Sequence, residues 1–339
     1  MSAEVVAHPE LVVRPGLVVP SWSDFIATHP PFSIALDGYV NAGPDYEQAG
    51  PYANFDHHTG VKRMATLATS QQILRCMRVG LVPAFTNENN MYQPIVHANH
   101  PDHDVSLSWS LLQNAPEWRY LEGVKRQRLR ELVSAEGVLD VFGGAYPYDD
   151  PHTSIIRKIA GIFEPYTNLD HSGEIRQQDP ARYKEVIEQI NGNIALYLEG
   201  QGPERDLELD YERIGGGVHG EWVMIKETGR DGRIQAFYEG IDAYVIFRGE
   251  SDVAAVDGQG YEETRYHYTV GRQSEFVRFD VPGIIDHLND TEGLQRSRDH
   301  WGGSEIIGGS PRHEGSKLPP QELSYIINVY LKTMAEGRV

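Results

Sequence analysis

Short apolar segments that end in charged residues recur near the start of the chain. Residues 32–37 run apolar into Asp37, and residues 52–55 run into Asp56. Residues 93–96 form a third short segment, which leads into a loop rich in histidine and aspartate. Short apolar runs of this kind are typical of strands that are buried on both faces. The pattern therefore predicts three strands, each with polar side chains at its carboxyl end.

Helical spacing follows these segments. Apolar residues at helical spacing predict a helix from Thr69 through Arg78 that stops at Gly80, and residues 106–113 resume a helical pattern. Alternation of strand, loop and helix is typical of a parallel α/β sheet, whose ligands bind beyond the carboxyl ends of the strands. The polar residues after the strands are therefore the first candidates for function.

The second half of the chain has a different texture. Asp179 and Pro180 predict the start of a helix that lasts to Gly200, which we interpret as a link between domains. From Gly215 onward the predicted strands are 221–226, 233–238, 243–247 and 266–270, with helices at 283–288 and 320–334 and a glycine-rich loop at 302–315. The predicted fold class is α/β: a parallel-sheet α/β domain over 1–178, a linking helix over 179–205 and a smaller α+β domain over 206–339.

Composition and charge narrow the classes of protein. The 339 residues are 40% hydrophobic, as in ordinary globular proteins, and 49 Asp and Glu against 30 Lys and Arg give a net charge of −19. This charge argues against a duplex nucleic-acid binder but leaves room for a small anionic substrate. No apolar run is long enough for a membrane span, so we expect a soluble, cytoplasmic protein that does not bind membranes. The single cysteine, Cys76, falls in a helical pattern and is expected to be a buried structural thiol.

A basic segment lies in the middle of the chain. Residues 123–137 form a predicted helix that carries Lys125, Arg126, Arg128 and Arg130. A solvated helix face is the simpler interpretation of this segment, and a basic patch that faces the substrate is the alternative.

Ligand-type side chains accumulate at the ends of the three predicted strands. They are Asp37, Asp56, His57, His58, His97, His100, Asp102, His103 and Asp104. Carboxylates mixed with imidazoles, without thiolates, suit Mn²⁺, Fe²⁺, Co²⁺ or Mg²⁺ better than structural zinc. Two such ions roughly 3.5–4 Å apart can clamp a phosphate group. The pattern therefore predicts a metal site in the N-terminal domain.

One part of this set resembles a known family. Phe55-Asp56-His57-His58, preceded by a strand that ends in Asp37 and followed by the helix that begins at Thr69, is similar to the Asp-His-His motif of the DHH phosphoesterase superfamily and the single aspartate that precedes it. The resemblance implies that these residues ligate one or two divalent ions, commonly Mn²⁺.

A second segment resembles the same family in a different order. His100-Pro101-Asp102-His103-Asp104, with Ser108 after it, is similar to the family's His…Asp-x-Asp motif, which normally starts the chain. Either the domain is permuted, or this segment takes the place of the last metal-binding aspartate and the first motif is lost. In both cases Asp102 or Asp104 would face the metals, and His97 and His100 compete for one role.

The C-terminal residues add to the resemblance. Val270-Gly271-Arg272-Gln273-Ser274, then Phe279-Asp280-Val281, then Gly308-Gly309-Ser310-Pro311-Arg312, follow the order of the family's C-terminal substrate domain. The resemblance implies that Arg272, Gly308, Gly309, Ser310 and Arg312 bind substrate phosphate. Ser310 stands where the family loop usually has histidine, and His300 or His313 could substitute for it.

These observations predict a metal-dependent hydrolase of a small phosphoester or phosphoanhydride, such as a nucleotide, short oligonucleotide or phosphorylated metabolite. The predicted metal ligands are Asp37, Asp56, His57, His97, His100, Asp102 and Asp104. The predicted catalytic residues are Asp56, His58 and His100, with His58 either a ligand or an acid near the leaving group. A metallohydrolase of a non-phosphate bond and a non-catalytic nucleotide-binding relative are the alternatives, and the sequence leaves the oligomeric state open, including a homo-oligomer.

Overall fold

A computed structural model describes residues 6–144, 146, 153–254, 262–295 and 299–337. The chain forms two compact units. The first comprises Met1–Val141 and His152–Asp206, and the second comprises Phe142–Pro151 and Leu207–Val339. The chain therefore leaves the first unit directly after Val141 and returns to it before the final crossing at Asp206.

The first unit consists of strands and helices in alternation. Its strands are β1 (Val6–Ala7), β2 (Glu10–Val13), β3 (Ser33–Leu36), β4 (Asp45–Glu47), β5 (Tyr52–Phe55), β6 (Met91–Tyr92) and β7 (Ile95–Ala98). Its α-helices are α1 (Trp22–Thr28), α2 (Thr69–Val79), α3 (Leu81–Ala84), α4 (His103–Gln113), α5 (Ala115–Trp118), α6 (Gly123–Val141), α7 (Ser154–Ile162), α8 (Glu164–His171) and α9 (Pro180–Glu199). Short 3-10 turns lie at Arg63–Ala65 and Glu174–Gln177.

The main sheet of this unit is mostly parallel, as the alternation predicts. Its strand order is β2-β7-β3-β5-β4, and only β4 pairs antiparallel with its neighbour. All residues of β3 and β5 are buried, which explains why the two strands are mostly apolar. The third strand begins at Ile95, two residues later than predicted, because Pro94 lacks the N–H that a ladder position requires.

The path of the chain through this sheet creates a crevice. The chain passes from β3 to its neighbour β5 and then returns to β7, which lies on the other side of β3. The carboxyl ends of these three strands therefore meet where the direction of travel reverses, which is the place where open α/β sheets bind ligands.

The helix Pro180–Glu199 belongs to the first unit. Asp179 caps it by accepting a hydrogen bond from the N–H of Ala181, and Gly200 ends it in the left-handed region. Its apolar face, which includes Tyr183, Ile187 and Ile194, is buried. The sequence interpretation of residues 179–205 as a separate linking helix therefore differs from the structure, where burial of this face makes α9 part of the first unit.

The second unit is built on a six-stranded mixed sheet. Its elements are β8 (Tyr211–Gly216), β9 (Val223–Glu227), α10 (Gly232–Tyr238), β10 (Ala243–Ala254), β11 (Glu262–Arg272), α11 (Val281–Glu292), β12 (Gly302–Gly303), β13 (Ile307–Gly309) and α12 (Pro320–Ala335). The strand order is β12-β13-β11-β10-β9-β8, with β9 and β10 parallel and the other pairs antiparallel. Met224 and Val245 join a core cluster with α11 and α12, whereas Ile225 and Ile246 join a cluster with α10.

One predicted strand is wrong. Residues 233–238 belong to α10, a helix whose Ala236 and Phe237 pack against Ile225 of the sheet. The apolar and polar residues of this short segment alternate closely enough to fit a strand, and a window of this length does not separate the two periods. None of the helices in the described part of the chain is long and apolar enough to cross a membrane.

His97 lies in the apolar core of the first unit. It pairs across the sheet with Ala35, and its ring contacts Phe25, His29 and Tyr39 at centroid distances of 5.7, 4.6 and 5.5 Å. Its Nε2 is 3.1 Å from Oγ of Ser33, and only 2% of the residue is exposed. Burial, together with the nearby positive charges, lowers the pKa of His97 to about 3.

We expect His97 to make the stability of the protein depend on pH. The folded-state pKa lies below the unfolded value of 6.5, so the unfolded chain binds this proton more tightly. The contribution of His97 to the free energy of unfolding is complete above pH 6.5. It falls as the pH drops towards 3, by up to about 1.4 kcal/mol per pH unit. Urea unfolding at several pH values between 7.5 and 5 should show a steeper loss of stability in the wild type than in His97→Gln. Parallel pH profiles for the two proteins would contradict this expectation.

Candidate metal centre

Acidic and imidazole side chains follow the three central strands of the first unit. Asp37 comes directly after β3, in the left-handed region with φ of 49°. Asp56 and His57 follow β5, and Asp104 lies in the first turn of α4, just after β7. These four residues are buried, with at most 9% of any of them exposed. The fold therefore withdraws these ionisable groups from solvent at one edge of the sheet.

The side chains form two groups that share one histidine. In the described part of the chain, ligand atoms of Asp37, His57 and His58 lie within 4.8 Å of one another, and so do those of His57, Asp104 and Asp140. His57 Nε2 is 3.4 Å from Asp37 Oδ1, 2.7 Å from Asp140 Oδ2 and 4.0 Å from Asp104 Oδ2. Carboxylate oxygen and imidazole nitrogen thus converge from four separate segments.

His57 and Asp140 form a short, buried contact. Although the two atoms are 2.7 Å apart, neither His57 Nε2 nor Asp140 Oδ2 has a hydrogen-bond partner among the described residues, and both atoms are buried. Buried polar atoms are nearly always paired, so these two need an explanation. Two ligands on one ion at about 2.1 Å lie about 3 Å apart when they are at right angles. A divalent cation therefore fits this donor set.

The N-terminus of α2 holds Asp104 in place. The backbone N–H groups of Thr69 and Ser70 donate to Asp104 Oδ2 and Oδ1 at 2.6 and 2.7 Å. Thr69 Oγ1 also donates to Asp37 Oδ1 at 3.0 Å. The partial positive charge of a helix N-terminus stabilises a carboxylate at this position. Thr69 and Ser70, whose sequence context indicates only the start of a helix, thus position two of the acidic side chains.

The shifted pKa values reflect the close packing of acidic side chains at this edge of the sheet. Burial lowers the pKa of His57, but the adjacent Asp140 and Asp37 carboxylates outweigh it and raise that pKa to about 9. Burial, followed by the charges of Asp140 and Asp37, raises the pKa of Asp104 to about 8. Burial also places the pKa of Glu136 well above its usual value, and the neighbouring Asp104 charge adds to this effect. Protons thus neutralise excess negative charge at this edge, a task that a divalent cation can take over.

Asp56 orients the two residues that follow His57 through hydrogen bonds. Its Oδ2 accepts hydrogen bonds from the N–H groups of His58 and Thr59 at 3.1 and 2.9 Å. Its Oδ1 lies 3.2 Å from His58 Nδ1, which is also 3.3 Å from Asp37 Oδ1. Asp56 belongs to neither group of ligand atoms in the described residues. It therefore fixes the turn after β5 and the ring of His58.

The predicted residues of the following loop lie outside both groups. Asp102 caps α4 by accepting a hydrogen bond from the N–H of Val105 at 3.0 Å, and His100 Nδ1 lies 3.3 Å from Asp102 Oδ2. His97 occupies the core described above. Of the histidine- and aspartate-rich loop, only Asp104 belongs to one of the groups of ligand atoms in the described residues, because the start of α4 turns it towards α2.

Two functional candidates on α6 were missed by the sequence analysis. Asp140 supplies a ligand atom, and Arg63 Nη2 donates to its backbone carbonyl at 2.8 Å and lies 3.5 Å from its Oδ1. Glu136 is buried one turn earlier and accepts a hydrogen bond from Ser70 Oγ at 3.3 Å. The sequence offers only a weak signal for these two residues: a pair of acidic side chains four positions apart among apolar neighbours on one helix.

The predicted substrate residues of the second unit make contacts within that unit. Arg272 donates to the carbonyls of Glu305 and Val277 at 2.9 and 3.0 Å. Gly308 and Gly309 pair with β11 in the sheet, and a Cβ at position 308 would lie 2.2 Å from Ile285 Cδ1. Ser310 Oγ accepts a hydrogen bond from the backbone N–H of Tyr268. Arg312 donates its backbone N–H to Asp299, and its side chain is exposed. Close packing therefore accounts for glycine at position 308.

Comparisons with known proteins do not assign the chain to a family. No protein-family model matches the chain, and no curated protein sequence matches it.

Single carboxylate substitutions should distinguish the residues of the two ligand groups from the predicted ligands that lie outside them. We expect Asp140→Asn to weaken Mn²⁺ binding by roughly tenfold or more, because it removes a charged ligand atom. Asp102→Asn is the matched control, since asparagine also caps helices and Asp102 lies outside both groups. Titration of metal-free protein with Mn²⁺, followed by calorimetry, measures both affinities. Equal losses in the two variants would contradict the placement of Asp140 in the site.

Proposed function

We propose that the protein is a hydrolase that uses divalent cations to cleave a small phosphoester or phosphoanhydride. The observation that supports the proposal best is the pair of overlapping carboxylate and imidazole groups that share His57. Acidic and imidazole ligands without thiolate favour Mn²⁺, with Mg²⁺, Fe²⁺ or Co²⁺ as alternatives. The resemblance of Phe55-Asp56-His57-His58 to the Asp-His-His motif of the DHH phosphoesterases supports the same function and the same metal.

Each residue of the cluster has a role in this proposal. Asp37, His57, Asp104 and Asp140 would hold the cations, and Thr69 and Ser70 would position two of these ligands through the hydrogen bonds described above. When bound, the cations would supply a Lewis acid for the phosphoryl oxygens and an activated water. The carboxylates would be neutralised in this state, so the crevice would attract an anion in spite of the acidic surface.

His58 is the side chain best placed to act on the substrate. Its Nδ1 lies 3.3 Å from Asp37 Oδ1 and 3.2 Å from Asp56 Oδ1, and 32% of its side chain is exposed, so part of the ring is accessible to solvent. An imidazole in this position can donate a proton to the leaving oxygen, as general acid catalysis requires.

The substrate is proposed to be small. A net charge of −19 repels long polyanions, whereas cations in one crevice attract a single anionic group. A nucleotide, a short oligonucleotide or a phosphorylated metabolite fits these conditions. The guanidinium of Arg272 is engaged by the carbonyls of Glu305 and Val277, so this arginine gives no support to phosphate binding in the second unit. A metallohydrolase that acts on a non-phosphate bond is therefore kept as the second candidate function.

An aryl phosphodiester provides the direct test of the reaction. We expect hydrolysis to require added Mn²⁺ and to fall by at least about a hundredfold in Asp37→Asn, because a bound cation contributes several kcal/mol to transition-state stabilisation. Asp102→Asn should retain most of the activity. Metal-dependent cleavage of an ester or amide panel with no turnover of phosphoesters would favour the second candidate and contradict the first.

The role of His58 can be tested in the same assay. We expect His58→Gln to lower kcat by roughly a hundredfold or more while Mn²⁺ affinity changes little, because the loss of a general acid affects the chemical step. A leaving group of low pKa, such as nitrophenolate, needs less protonation and should reduce the defect. A loss of Mn²⁺ affinity in this variant would instead assign His58 as a ligand.

A further inference from the structure

Arg63 is a buried cation at the edge of the candidate metal centre. It lies in the 3-10 turn Arg63–Ala65, between His58 and the start of α2, and only 8% of its side chain is exposed. Charged side chains are rarely buried unless they are paired. The guanidinium group of Arg63 therefore needs a specific partner.

That partner is Asp140, which Arg63 contacts at two points. Nη2 of Arg63 donates a hydrogen bond to the backbone carbonyl of Asp140 at 2.8 Å and lies 3.5 Å from Oδ1 of its carboxylate. Within the described part of the chain, the guanidinium group has no other hydrogen-bond or ion-pair partner. Any structural effect of Arg63 on the metal centre is therefore expected to pass through Asp140.

The position of Asp140 in its helix explains why such a contact matters. α6 ends at Val141, so Asp140 lies in the last turn. The last four carbonyl groups of an α-helix have no partner within the helix, and an arginine side chain can satisfy one of them. A cation at this end also interacts favourably with the helix dipole. Arg63 thus stabilises the turn of α6 that carries Asp140.

The two oxygens of the Asp140 carboxylate face different groups. Oδ2 lies 2.7 Å from Nε2 of His57, whereas Oδ1 is the oxygen next to Nη2 of Arg63. Attraction between Oδ1 and the guanidinium group favours one rotation of the carboxylate, and in this rotation Oδ2 is directed at His57.

We propose that Arg63 is a positioning residue of the metal centre, which holds Asp140 so that Oδ2 faces the cation site beside His57. This role rests on the proposed function in one respect, namely that the residues around His57 bind a divalent cation. The planar guanidinium group holds its N–H donors in fixed directions, so that one nitrogen can serve the carbonyl and the carboxylate together. The ammonium group of lysine is a point charge on a flexible stem and offers no such fixed geometry.

The direction of the change in metal affinity separates positioning from a simple charge effect. A cation near the site repels a divalent ion, so removal of Arg63 would tighten Mn²⁺ binding if only its charge mattered. Loss of a positioning contact has the opposite effect, since a group that orients a metal ligand typically contributes roughly 10- to 100-fold to metal affinity.

Calorimetric titration of the metal-free full chain with Mn²⁺ tests the proposal. Arg63→Met removes the guanidinium group but keeps most of the apolar stem, and we expect it to weaken Mn²⁺ binding by roughly tenfold. Arg63→Lys keeps the charge and should recover only part of this loss. Arg182→Met is the matched control, because Arg182 forms exposed ion pairs in the same unit and its loss should leave the affinity unchanged.

Double variants show whether the effect passes through Asp140. In the Asp140→Asn background, Arg63→Met should cause much less further loss than in the wild type, because the ligand that Arg63 holds is already impaired. In the Asp37→Asn background the two losses should be additive, since Asp37 belongs to the other ligand group. A variant that merely destabilised the fold would cause the same further loss in both backgrounds.

Urea unfolding with a chelator present confirms that each affinity is measured on folded protein. Unchanged or tighter Mn²⁺ binding in Arg63→Met, or equal further losses in the two backgrounds, would overturn the proposal. Should Arg63→Met not fold, Arg63→Lys decides the question, because wild-type affinity in that variant also overturns it. Hydrolysis is not measured here, so an inactive protein that still binds Mn²⁺ contradicts only the proposed function, whereas a wild type that binds no Mn²⁺ contradicts both.

Discussion

The structure of the first unit depends on how its buried carboxylates are stabilised. Asp37, Asp56, Asp104 and Glu136 are buried, and Asp140 lies against them. An ionised carboxylate without a partner is very costly in such surroundings. The molecule offsets this cost with the N-terminus of α2 beneath Asp104, the imidazole rings of His57 and His58, and the Arg63 guanidinium beside Asp140. The ends of β3, β5, α2, α4 and α6 are arranged around these pairings.

Under the proposed function, a bound cation would neutralise the same charge that protons neutralise in its absence. Protons on Asp104 and His57 reduce the repulsion, which is the reason for their raised pKa values. His57 Nε2 and Asp140 Oδ2 lie 2.7 Å apart as a buried ion pair, and neither atom completes a hydrogen bond of normal geometry among the described residues. In the proposed site, both atoms would be ligands of one cation. Since the unfolded chain lacks this arrangement, such binding would also stabilise the fold through mass action.

Local patterns in the sequence predict part of this arrangement, and the rest depends on tertiary packing. The runs that form β3 and β5 are mostly apolar and are followed by Asp37 and Asp56, so both strands and their polar ends were predictable. Asp140 was not, because it joins the site through the packing of α6 on α2, which no short window records. His97 was misleading for a related reason: it is a ligand-type residue next to the cluster in sequence, but the strand directs its ring into the aromatic core.

The order of motifs along the chain matters less to this site than the order of strands in the sheet. The sequence leaves open whether the segment with Asp102 and Asp104 is permuted or replaces a lost motif. In the structure, β7 lies beside β3 although β5 comes earlier in the chain, so the helix that follows β7 begins next to Asp37 and His57. Asp102 then caps that helix and Asp104, two residues on, turns towards the cluster. Any chain order that delivers three parallel strand ends to this crevice would supply the same side chains, because the pairing of the strands determines which loops meet.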